Sequence, residues 1–427
     1  MRVLVIGRGG REHAVIWALR RSASIRKVYC APGNAGIAEL AECVPIEENQ
    51  FDEIAQFAID HVVDLVFVGP EDPLSAGIVD YLEERSVSVF GPRRSAAEIE
   101  GSKVFTKDLL KKYNIPTAAY ETFEDYEAAL AYVRRQTPPI VVKADGLAAG
   151  KGVTVARTLA EAEKALKDIM LDKEFGQAGN KVVIEEFLQG QEMSILSFVD
   201  GTTVRPMIPS QDHKPVFDND EGPNTGGMGT YAPVPHISQS IIDEAVETII
   251  RPTAEAMVQE GRPFRGVLFA GLMITEQGPK TIEFNCRFGD PETQVVLPLL
   301  ETDLIDIFLA TINGRLDQMD IRWSSDAAVC VIAASPGYPG KYPKGLPIDG
   351  LAAAAEAGSL VFHAGTAFGQ DQSRVVTNGG RVLGVVGRGR TIAEAREQAY
   401  GGMKRISFEG MHCRSDIANK ALGTRIE

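Results

Sequence analysis

The first hundred residues alternate short apolar runs with segments of helical spacing, and this alternation constrains the fold more than any other feature of the sequence. Strands that alternate with helices favour a parallel, doubly wound sheet. Ligands of such a sheet bind beyond the carboxyl ends of its strands. We predict four buried strands in this part of the chain, over residues 2–6, 27–30, 64–68 and 87–90.

The rest of the chain mixes strands and helices in a way that indicates α+β units. At 427 residues the chain is long enough for about three domains of roughly 150 residues each. We predict an N-terminal α/β domain over 1–102, a central region over 103–325 and a small C-terminal α+β domain over 326–427. Within the central region we expect a small α+β lid near 120–190 and a larger catalytic core near 191–325.

Acidic residues outnumber basic ones, 58 against 44, so the formal net charge is −14. Such a chain is a poor match for general binding to nucleic acid or to anionic membranes. The five cysteines are scattered without a CxxC pair, which argues against a disulfide framework and a cysteine zinc site. No apolar run reaches the ~18 residues of a membrane span, and the opening residues are typical of a strand, so we expect a cytoplasmic protein.

The glycines after the first predicted strand form a candidate phosphate site. Residues 7–13 are GRGGREH, and the N-terminus of the following helix presents free N–H groups to an anion. A nicotinamide dinucleotide site is disfavoured, because His13 replaces the third glycine of GxGxxG and no acidic residue follows the second strand. The segment predicts either a phosphate pocket without a dinucleotide or an ordinary strand-to-helix turn.

A second glycine segment, KADGLAAGKG at 143–152, departs from a Walker A loop. Its glycines are one residue too close together, and Gly152 stands where Ser or Thr would bind magnesium. Both flanks have strand patterns, whereas a P-loop leads into a helix. A glycine hairpin over ATP phosphates fits better than a plain hairpin, because Lys143 at the end of an apolar strand needs an anion.

Glu283 and Asn285 form a candidate metal site. Side chains alternate along a strand, so these two share a face about 6.6 Å apart, while Ile282 and Phe284 face the core. Carboxylate and amide oxygens suit Mg²⁺ that bridges phosphates. The charged, glycine-rich continuation as far as Glu292 distinguishes the pair from a solvated strand face.

A polar segment runs from QDHK at 211–214 to TGGMG at 225–229. It has little secondary-structure signal, and irregular segments of about twenty residues are usually functional or disordered. We expect an irregular loop that closes over a substrate, with disorder as the alternative.

Together these motifs resemble the ATP-grasp superfamily and, within it, the phosphoribosylamine–glycine ligase family. The resemblance extends from residue 1 to about 420 and rests on six motifs in order: GRGGREHA at 7–14, PGNAG at 32–36, KADGLAAGKGV at 143–153, QDHK at 211–214, NTGGMG at 224–229 and NCRFGDPE at 285–292. It implies an ATP-dependent ligase of de novo purine synthesis. Such an enzyme joins glycine to 5-phospho-D-ribosylamine through a glycyl phosphate and gives glycinamide ribonucleotide, ADP and phosphate.

The resemblance also implies roles for individual residues. For ATP it implies phosphate contacts from Lys103, Lys143 and the loop glycines Gly150 and Gly152, adenine contacts from Glu185, Phe187 and Leu188, and a ribose contact from Glu192. For the metal, Mg²⁺ with Mn²⁺ as an alternative, it implies Glu283 and Asn285 as ligands. Gly271 stands where many relatives have a further acidic ligand.

For the remaining substrates, the resemblance implies that Arg287 and Asp212 orient the glycine or the amine. It places the sugar phosphate at Gly9, Gly10 and Asn34, and adds Lys214 and Asp290 to the substrate site. We expect a monomer that acts on small molecules, with a transient contact to the enzyme that supplies phosphoribosylamine.

Three alternatives remain open from the residues alone. Another ATP-grasp carboxylate–amine ligase of purine metabolism would share the ATP half and differ at the first glycine loop and at QDHK. A dehydrogenase is disfavoured by the missing acidic residue and by Glu283 and Asn285. A non-enzymatic nucleotide sensor would not need so many polar residues at strand ends.

Overall fold

The computed structural model describes residues 1–147, 152–370 and 372–423. In the N-terminal unit a five-stranded sheet is packed between helices. Its elements are β1 (Arg2–Gly7), α1 (Gly10–Leu19), β2 (Lys27–Pro32), β3 (Glu42–Cys43), α2 (Phe51–Asp60), β4 (Leu65–Val68), α3 (Glu71–Ala76), α4 (Ile78–Glu83), β5 (Val89–Phe90) and α5 (Arg94–Gly101).

The strand order of this sheet is β3-β2-β1-β4-β5, and every neighbouring pair is parallel. The chain therefore starts in the middle and winds outward in both directions, which confirms the predicted doubly wound sheet. The carboxyl ends of β1, β2 and β4 meet at one edge, where the loops after them lie side by side.

A four-stranded antiparallel sheet with two helices forms the part of the chain that we predicted to be a lid. Helix α6 (Lys103–Lys112) leads into it, and its own elements are β6 (Tyr120–Phe123), α7 (Tyr126–Val133), β7 (Ile140–Ala144), β8 (Val153–Ala156), α8 (Leu159–Met170) and β9 (Val182–Glu186). The strand order is β6-β9-β7-β8, so the predicted hairpin of β7 and β8 is confirmed. The buried apolar residues of the lid form a cluster separate from the two larger cores.

The part of the chain that we predicted to be the catalytic core is built on a second antiparallel sheet. Its elements are β10 (Gln191–Asp200), β11 (Thr203–Pro206), β12 (Gln211–Asp212), β13 (Pro215–Phe217), β14 (Glu221–Asn224), β15 (Gly229–Ala232), α9 (Gln239–Ala245), α10 (Arg251–Gln259), β16 (Arg265–Thr275), β17 (Gly278–Asn285), α11 (Thr293–Val296) and α12 (Leu304–Ile312). The order of the large sheet is β11-β10-β16-β17. A π-helical turn, Val246–Ile250, joins α9 to α10, whose second residue is Pro252.

The segment between QDHK and TGGMG is not the irregular loop that we predicted. It contains β12 to β15, in which β13 pairs with β14 as a short hairpin and β12 pairs with β15. Strands of two to four residues are too short to give a periodic pattern, and β12 pairs with a strand that lies about twenty residues later in the chain.

The C-terminal unit contains β18 (Ala327–Ala334), α13 (Leu351–Glu356), β19 (Leu360–His363), β20 (Thr366–Phe368), β21 (Val375–Thr377), β22 (Arg381–Gly389) and α14 (Ile392–Met403). Its main sheet has the order β12-β15-β18-β22-β19, so it includes two strands that precede residue 325. The domain boundaries that we gave stay a prediction, and this sheet crosses the one near 325.

Candidate active site

Two lysines predicted to bind ATP lie beside the predicted metal ligand. Lys143 is near the end of β7, and its Nζ is 2.9 Å from Glu185 Oε1 and donates to the Ile282 carbonyl at 3.4 Å. Lys103 begins α6 and donates to the Gly146 carbonyl at 2.9 Å. Burial lowers the pKa of Lys103 from its ordinary value, although Glu283 opposes the shift.

The strand β9 places Glu185 in the buried centre of the lid sheet, whereas Phe187 and Leu188 follow the end of the strand and are half-buried. The backbone N–H and C=O groups of Phe187 and Leu188 lie outside β9 and take no part in its pairing with β6 and β7. Gly152 begins the returning side of the hairpin, and its carbonyl accepts a hydrogen bond from the Ala144 N–H at 2.8 Å. The predicted contact at Gly150 lies outside the described residues.

Glu283 and Asn285 are half-buried on β17, and Phe284 between them is buried, as the alternation predicts. The prediction that Ile282 faces the core is wrong. Ile282 lies at a bulge, because Leu272 pairs with Thr281 and Gly271 pairs with Glu283, and it is only half-buried. Glu283, Phe284 and Asn285 follow the bulge in regular register, so the alternation of the strand places Glu283 and Asn285 on one face.

Cations dominate the surroundings of Glu283. Burial alone would raise the pKa of this carboxyl, but Lys214, Lys143 and Lys103 outweigh it and hold the pKa below its ordinary value. Gly271 is the cross-strand partner of Glu283, and a Cβ atom at 271 would lie 3.2 Å from Glu283 Cγ. Because residue 271 is a glycine, β16 contributes no second carboxylate beside Glu283. The Glu283 carboxylate is therefore surrounded mainly by cations.

A second charged group surrounds Asp212, at the end of β12. Lys214 Nζ is 3.3 Å from Glu192 Oε2, and this carboxylate is the main cause of the raised pKa of Lys214. Burial raises the pKa of Asp212, and burial together with the charge of Asp212 raises the pKa of Glu292. Three carboxyl groups and a lysine thus form a polar site that can receive an ammonium or carboxylate group.

Arg287 connects the catalytic core to the N-terminal unit. Its Nε is 3.1 Å from Glu71 Oε2, and its Nη2 is 2.9 Å from Glu100 Oε1. Glu100 also accepts the Cys286 N–H at 2.8 Å. Burial by itself would raise the pKa of Glu71, but Arg287 and Arg11 lower it to about 2. The arginine that we predicted to orient a substrate is therefore already held by two carboxylates.

Asp290 occupies the junction of the N-terminal, core and C-terminal units. One carboxylate oxygen accepts the Arg11 N–H at the start of α1, and the other accepts the Gln294 amide at 2.9 Å. Arg381 of β22 lies 3.5 Å from the carboxylate. Gly10 packs directly against Gln294, because a Cβ atom at 10 would lie 2.5 Å from Gln294 Nε2.

The other residues predicted for the sugar phosphate already have hydrogen-bond partners within the protein. The Gly9 N–H donates to the Glu12 carboxylate at 2.7 Å, at the start of α1. The Asn34 amide nitrogen donates to the carbonyls of Arg8 and His363, at 2.8 and 2.9 Å, and its oxygen accepts two N–H groups from the following turn. The roles of Gly9 and Asn34 in substrate binding stay predictions.

Four charged residues of this region were not among the predicted site residues: Glu71, Glu100, Lys107 and Glu292. Glu71 follows Gly-Pro at the carboxyl end of β4, where a doubly wound sheet gathers its ligands, and this position could have identified it. Lys107 lies one helical turn after Lys103 on α6, and burial lowers its pKa to about 8 against the opposing effect of Glu185. Glu292 is the last residue of the NCRFGDPE motif, from which we predicted Asn285, Arg287 and Asp290 as site residues.

Two features are absent from the part of the chain that the structure describes. No helix in the described part of the chain has the length and apolar character that crossing a membrane requires. Among residues 1–147, 152–370 and 372–423, no group of three or more His, Cys, Asp or Glu side chains could hold a metal ion.

A small antiparallel sheet that carries Lys143, beside a larger antiparallel sheet that carries a Glu–Asn pair, is typical of the ATP-grasp class of proteins. Three family models of phosphoribosylglycinamide synthetase match the chain: the N domain over residues 1–100, the ATP-grasp (A) domain over 101–293 and the C domain over 328–420. The chain belongs to the phosphoribosylglycinamide synthetase family.

Relatives of this family match the chain along its length. The phosphoribosylamine–glycine ligase of Caldanaerobacter subterraneus subsp. tengcongensis is 50% identical, over 98% of this chain and 99% of its own length. The trifunctional purine biosynthetic protein adenosine-3 of Gallus gallus is 51% identical over 99% of this chain, which matches 42% of that longer protein. The crystal structure of phosphoribosylamine–glycine ligase from Thermotoga maritima is 34% identical with a TM-score of 0.85, covering 98% of this chain and all of that one.

Proposed function

We propose that this protein is an ATP- and Mg²⁺-dependent ligase that joins glycine to 5-phospho-D-ribosylamine, with glycinamide ribonucleotide, ADP and phosphate as products. The observation that carries the proposal is the placement of Lys103 and Lys143 beside Glu283, between the lid and the core. The names of the relatives support the choice of glycine and phosphoribosylamine as substrates.

The donor set fits a hard divalent cation. Glu283 and Asn285 offer a carboxylate and an amide oxygen from one strand face, and Gly271 beside them leaves room. When bound, Mg²⁺, or Mn²⁺ in its place, would neutralise charge on the phosphoryl oxygens during transfer. Because the chain offers few acidic ligands here, the phosphates of ATP and water would complete the coordination.

The two lysines would bind the phosphates of ATP as point charges. Lys143 is held by one carboxylate and a weak contact to a carbonyl, and Lys103 by one carbonyl, so both can turn toward a phosphate. The backbone that follows β9, at Phe187 and Leu188, would contact adenine, and Glu192 would contact the ribose.

The glycine and the amine would bind on the other side of Glu283. Asp212 can hold an ammonium group, and Lys214 can pair with a carboxylate. The Glu71 and Glu100 carboxylates hold Arg287 in place. From this position Arg287 would orient the acyl phosphate. The sugar phosphate would lie at the start of α1, where Gly9 and Gly10 are close to Asp290.

Transfer of the γ-phosphoryl group to glycine converts a poor electrophile into an acyl phosphate. This intermediate also reacts with water, so the lid must exclude water until the uncharged amine attacks. The amine replaces phosphate at the acyl carbon, and a carboxylate oxygen of glycine leaves with the phosphate.

The path of that oxygen tests the proposal. Glycine labelled with ¹⁸O in its carboxylate should give inorganic phosphate with one ¹⁸O per turnover, measured by mass spectrometry in the presence of ATP, Mg²⁺ and phosphoribosylamine. Omission of the amine should slow label transfer strongly. Product formation with unlabelled phosphate would contradict the acyl phosphate route. ADP release with formate or bicarbonate, and none with glycine, would indicate another ATP-grasp ligase.

We further propose that the protein acts as a cytoplasmic monomer with domains near 1–102, 103–325 and 326–427. The acidic net charge supports a partner set of small molecules, without nucleic acid or membrane. Because phosphoribosylamine is unstable, we expect a transient contact with the enzyme that supplies it.

A further inference from the structure

Lys107 is a buried lysine without a role in the mechanism proposed above. Its side chain is 4% exposed, and its Nζ donates to Thr117 Oγ1 at 2.7 Å and lies 3.1 Å from Glu185 Oε2. Lysine side chains are almost never fully buried unless they are paired. Glu185, itself 4% exposed, is the counter-ion of Lys107.

The same carboxylate faces a second lysine. Glu185 Oε1 is 2.9 Å from Lys143 Nζ, yet this oxygen makes no aligned hydrogen bond with any of the described residues. One buried carboxylate is therefore shared by two buried ammonium groups, one from α6 and one from β7. The Glu185 carboxylate and the two ammonium groups together carry a net charge of +1.

This sharing matters for a lysine that has to bind phosphate. A buried ion at contact distance from an opposite charge is held strongly, and separating the two leaves an unpaired charge in a poorly solvated place. If Lys143 were the only partner of Glu185, its movement to a phosphate would strand the carboxylate. With Lys107 in place, the carboxylate stays paired when Lys143 leaves.

We propose that Lys107 is a positioning residue for ATP, which keeps Glu185 neutralised so that Lys143 can bind the nucleotide phosphates. The inference rests on the proposed function in assigning Lys143 to ATP, and it does not depend on which carboxylate or amine the enzyme uses. Lys107 itself does not contact the phosphates. Its effect on ATP must therefore pass through Glu185.

The test is calorimetric titration of the full chain with ATP and excess Mg²⁺, without glycine or amine. In Lys107→Met, Lys143 becomes the remaining ion-pair partner of Glu185 and is held away from the phosphates. We therefore expect the Kd for ATP to rise about tenfold or more. Lys111→Met is the matched control. Lys111 lies one turn further along α6, is exposed and, like Lys107, has its Nζ near the Tyr120 ring, at 5.7 Å against 5.6 Å. Its removal should change the Kd by less than about twofold.

The decisive comparison is made in a background without the carboxylate. Glu185→Gln and the double variant Lys107→Met/Glu185→Gln should bind ATP with the same Kd. A further tenfold loss in the double variant would overturn the proposal, because Lys107 would then act on the phosphates directly or by its charge alone. Wild-type affinity in Lys107→Met would also overturn it. If that variant does not fold, the double variant still decides, since it buries no unpaired carboxylate.

Adenosine separates positioning from damage to the pocket. It lacks phosphates, so its Kd should be the same in the wild type and in Lys107→Met, and an equal loss of adenosine and ATP binding would refute the inference. The outcome is independent of the ligase assay. A chain that binds ATP but transfers no ¹⁸O from glycine would refute the proposed function and leave the Lys107 test valid.

Discussion

Replacement of Arg287 by methionine should destabilise the protein at neutral pH, and the loss should shrink as the pH falls. Arg287 pairs with Glu71 and Glu100, both from the N-terminal unit, while it belongs to the loop after β17. Methionine keeps the length of the side chain and removes the charge. Glu71 then keeps Arg11 as a neighbouring cation, whereas the buried carboxylate of Glu100 loses its ion pair.

The magnitude follows from the pKa of Glu71. Burial favours the neutral acid, but Arg287 and Arg11 lower the pKa of Glu71 from 4.5 to about 2. Such a lowering corresponds to about 3 kcal/mol of stability, present above about pH 4.5 and lost as the pH falls toward 2. Since removal of one partner from a buried pair costs about 3–5 kcal/mol, we expect a loss of that size in Arg287→Met at pH 7.

Without Arg287, burial raises the pKa of both carboxyls, so each destabilises the fold when ionised and less so once protonated. The difference between wild type and variant in unfolding free energy, measured by urea unfolding, should therefore be largest near pH 7 and smaller near pH 4.5. The control is Arg388→Met, because Arg388 forms a half-exposed pair with Asp326 and should lose less than about 1 kcal/mol at either pH. A difference for Arg287→Met that is below 1 kcal/mol, or equal at both pH values, would refute this reasoning.

Three further predictions concern the site itself. Glu283→Gln should lower ADP release by about a hundredfold or more at saturating Mg²⁺, with a much smaller effect on thermal stability, and a near-normal rate would exclude Glu283 as a metal ligand. Lys143→Ala should weaken ATP binding in calorimetry and leave product binding nearly intact; equal loss of both would show damage to a shared part of the site. In Gly10→Ala the new Cβ would displace the Gln294 amide, so KM for the sugar phosphate should rise while KM for ATP stays constant in steady-state assays.

The parts of the fold that could be predicted are those with a complete local pattern. The strands 140–143, 152–156 and 279–285 each carry their own apolar run, and the sequence between the first two is rich in glycine. The elements that were missed are strands too short for a local pattern, and some of them also depend on distant partners. β15 pairs with β18 about a hundred residues later, and no local period reports such a contact. The bulge at Ile282 was also missed, because it arises from the register with β16.

The same distinction applies to the site. Glu283 and Asn285 could be predicted because both lie on one short strand, whose alternation places them together. The partners of Arg287 could not, since Glu71 and Glu100 are separated from it by 216 and 187 residues in the chain. Lys107 was missed for a different reason, as a lysine on a helix is usually solvated and its burial depends on the lid sheet packing over it.

The distribution of charge accounts for the binding of a triphosphate by an acidic chain. The net charge is −14, yet Lys214, Lys143, Lys103 and Arg287 all act on the single carboxylate of Glu283. Buried cations act through a lower dielectric and are screened less by salt than the exposed acidic surface. ATP is therefore attracted where the field is strongest, whereas a long polyanion meets mostly negative surface. It follows that neutralising one buried cation beside Glu283 should weaken ATP binding far more than any single substitution of a surface carboxylate strengthens it.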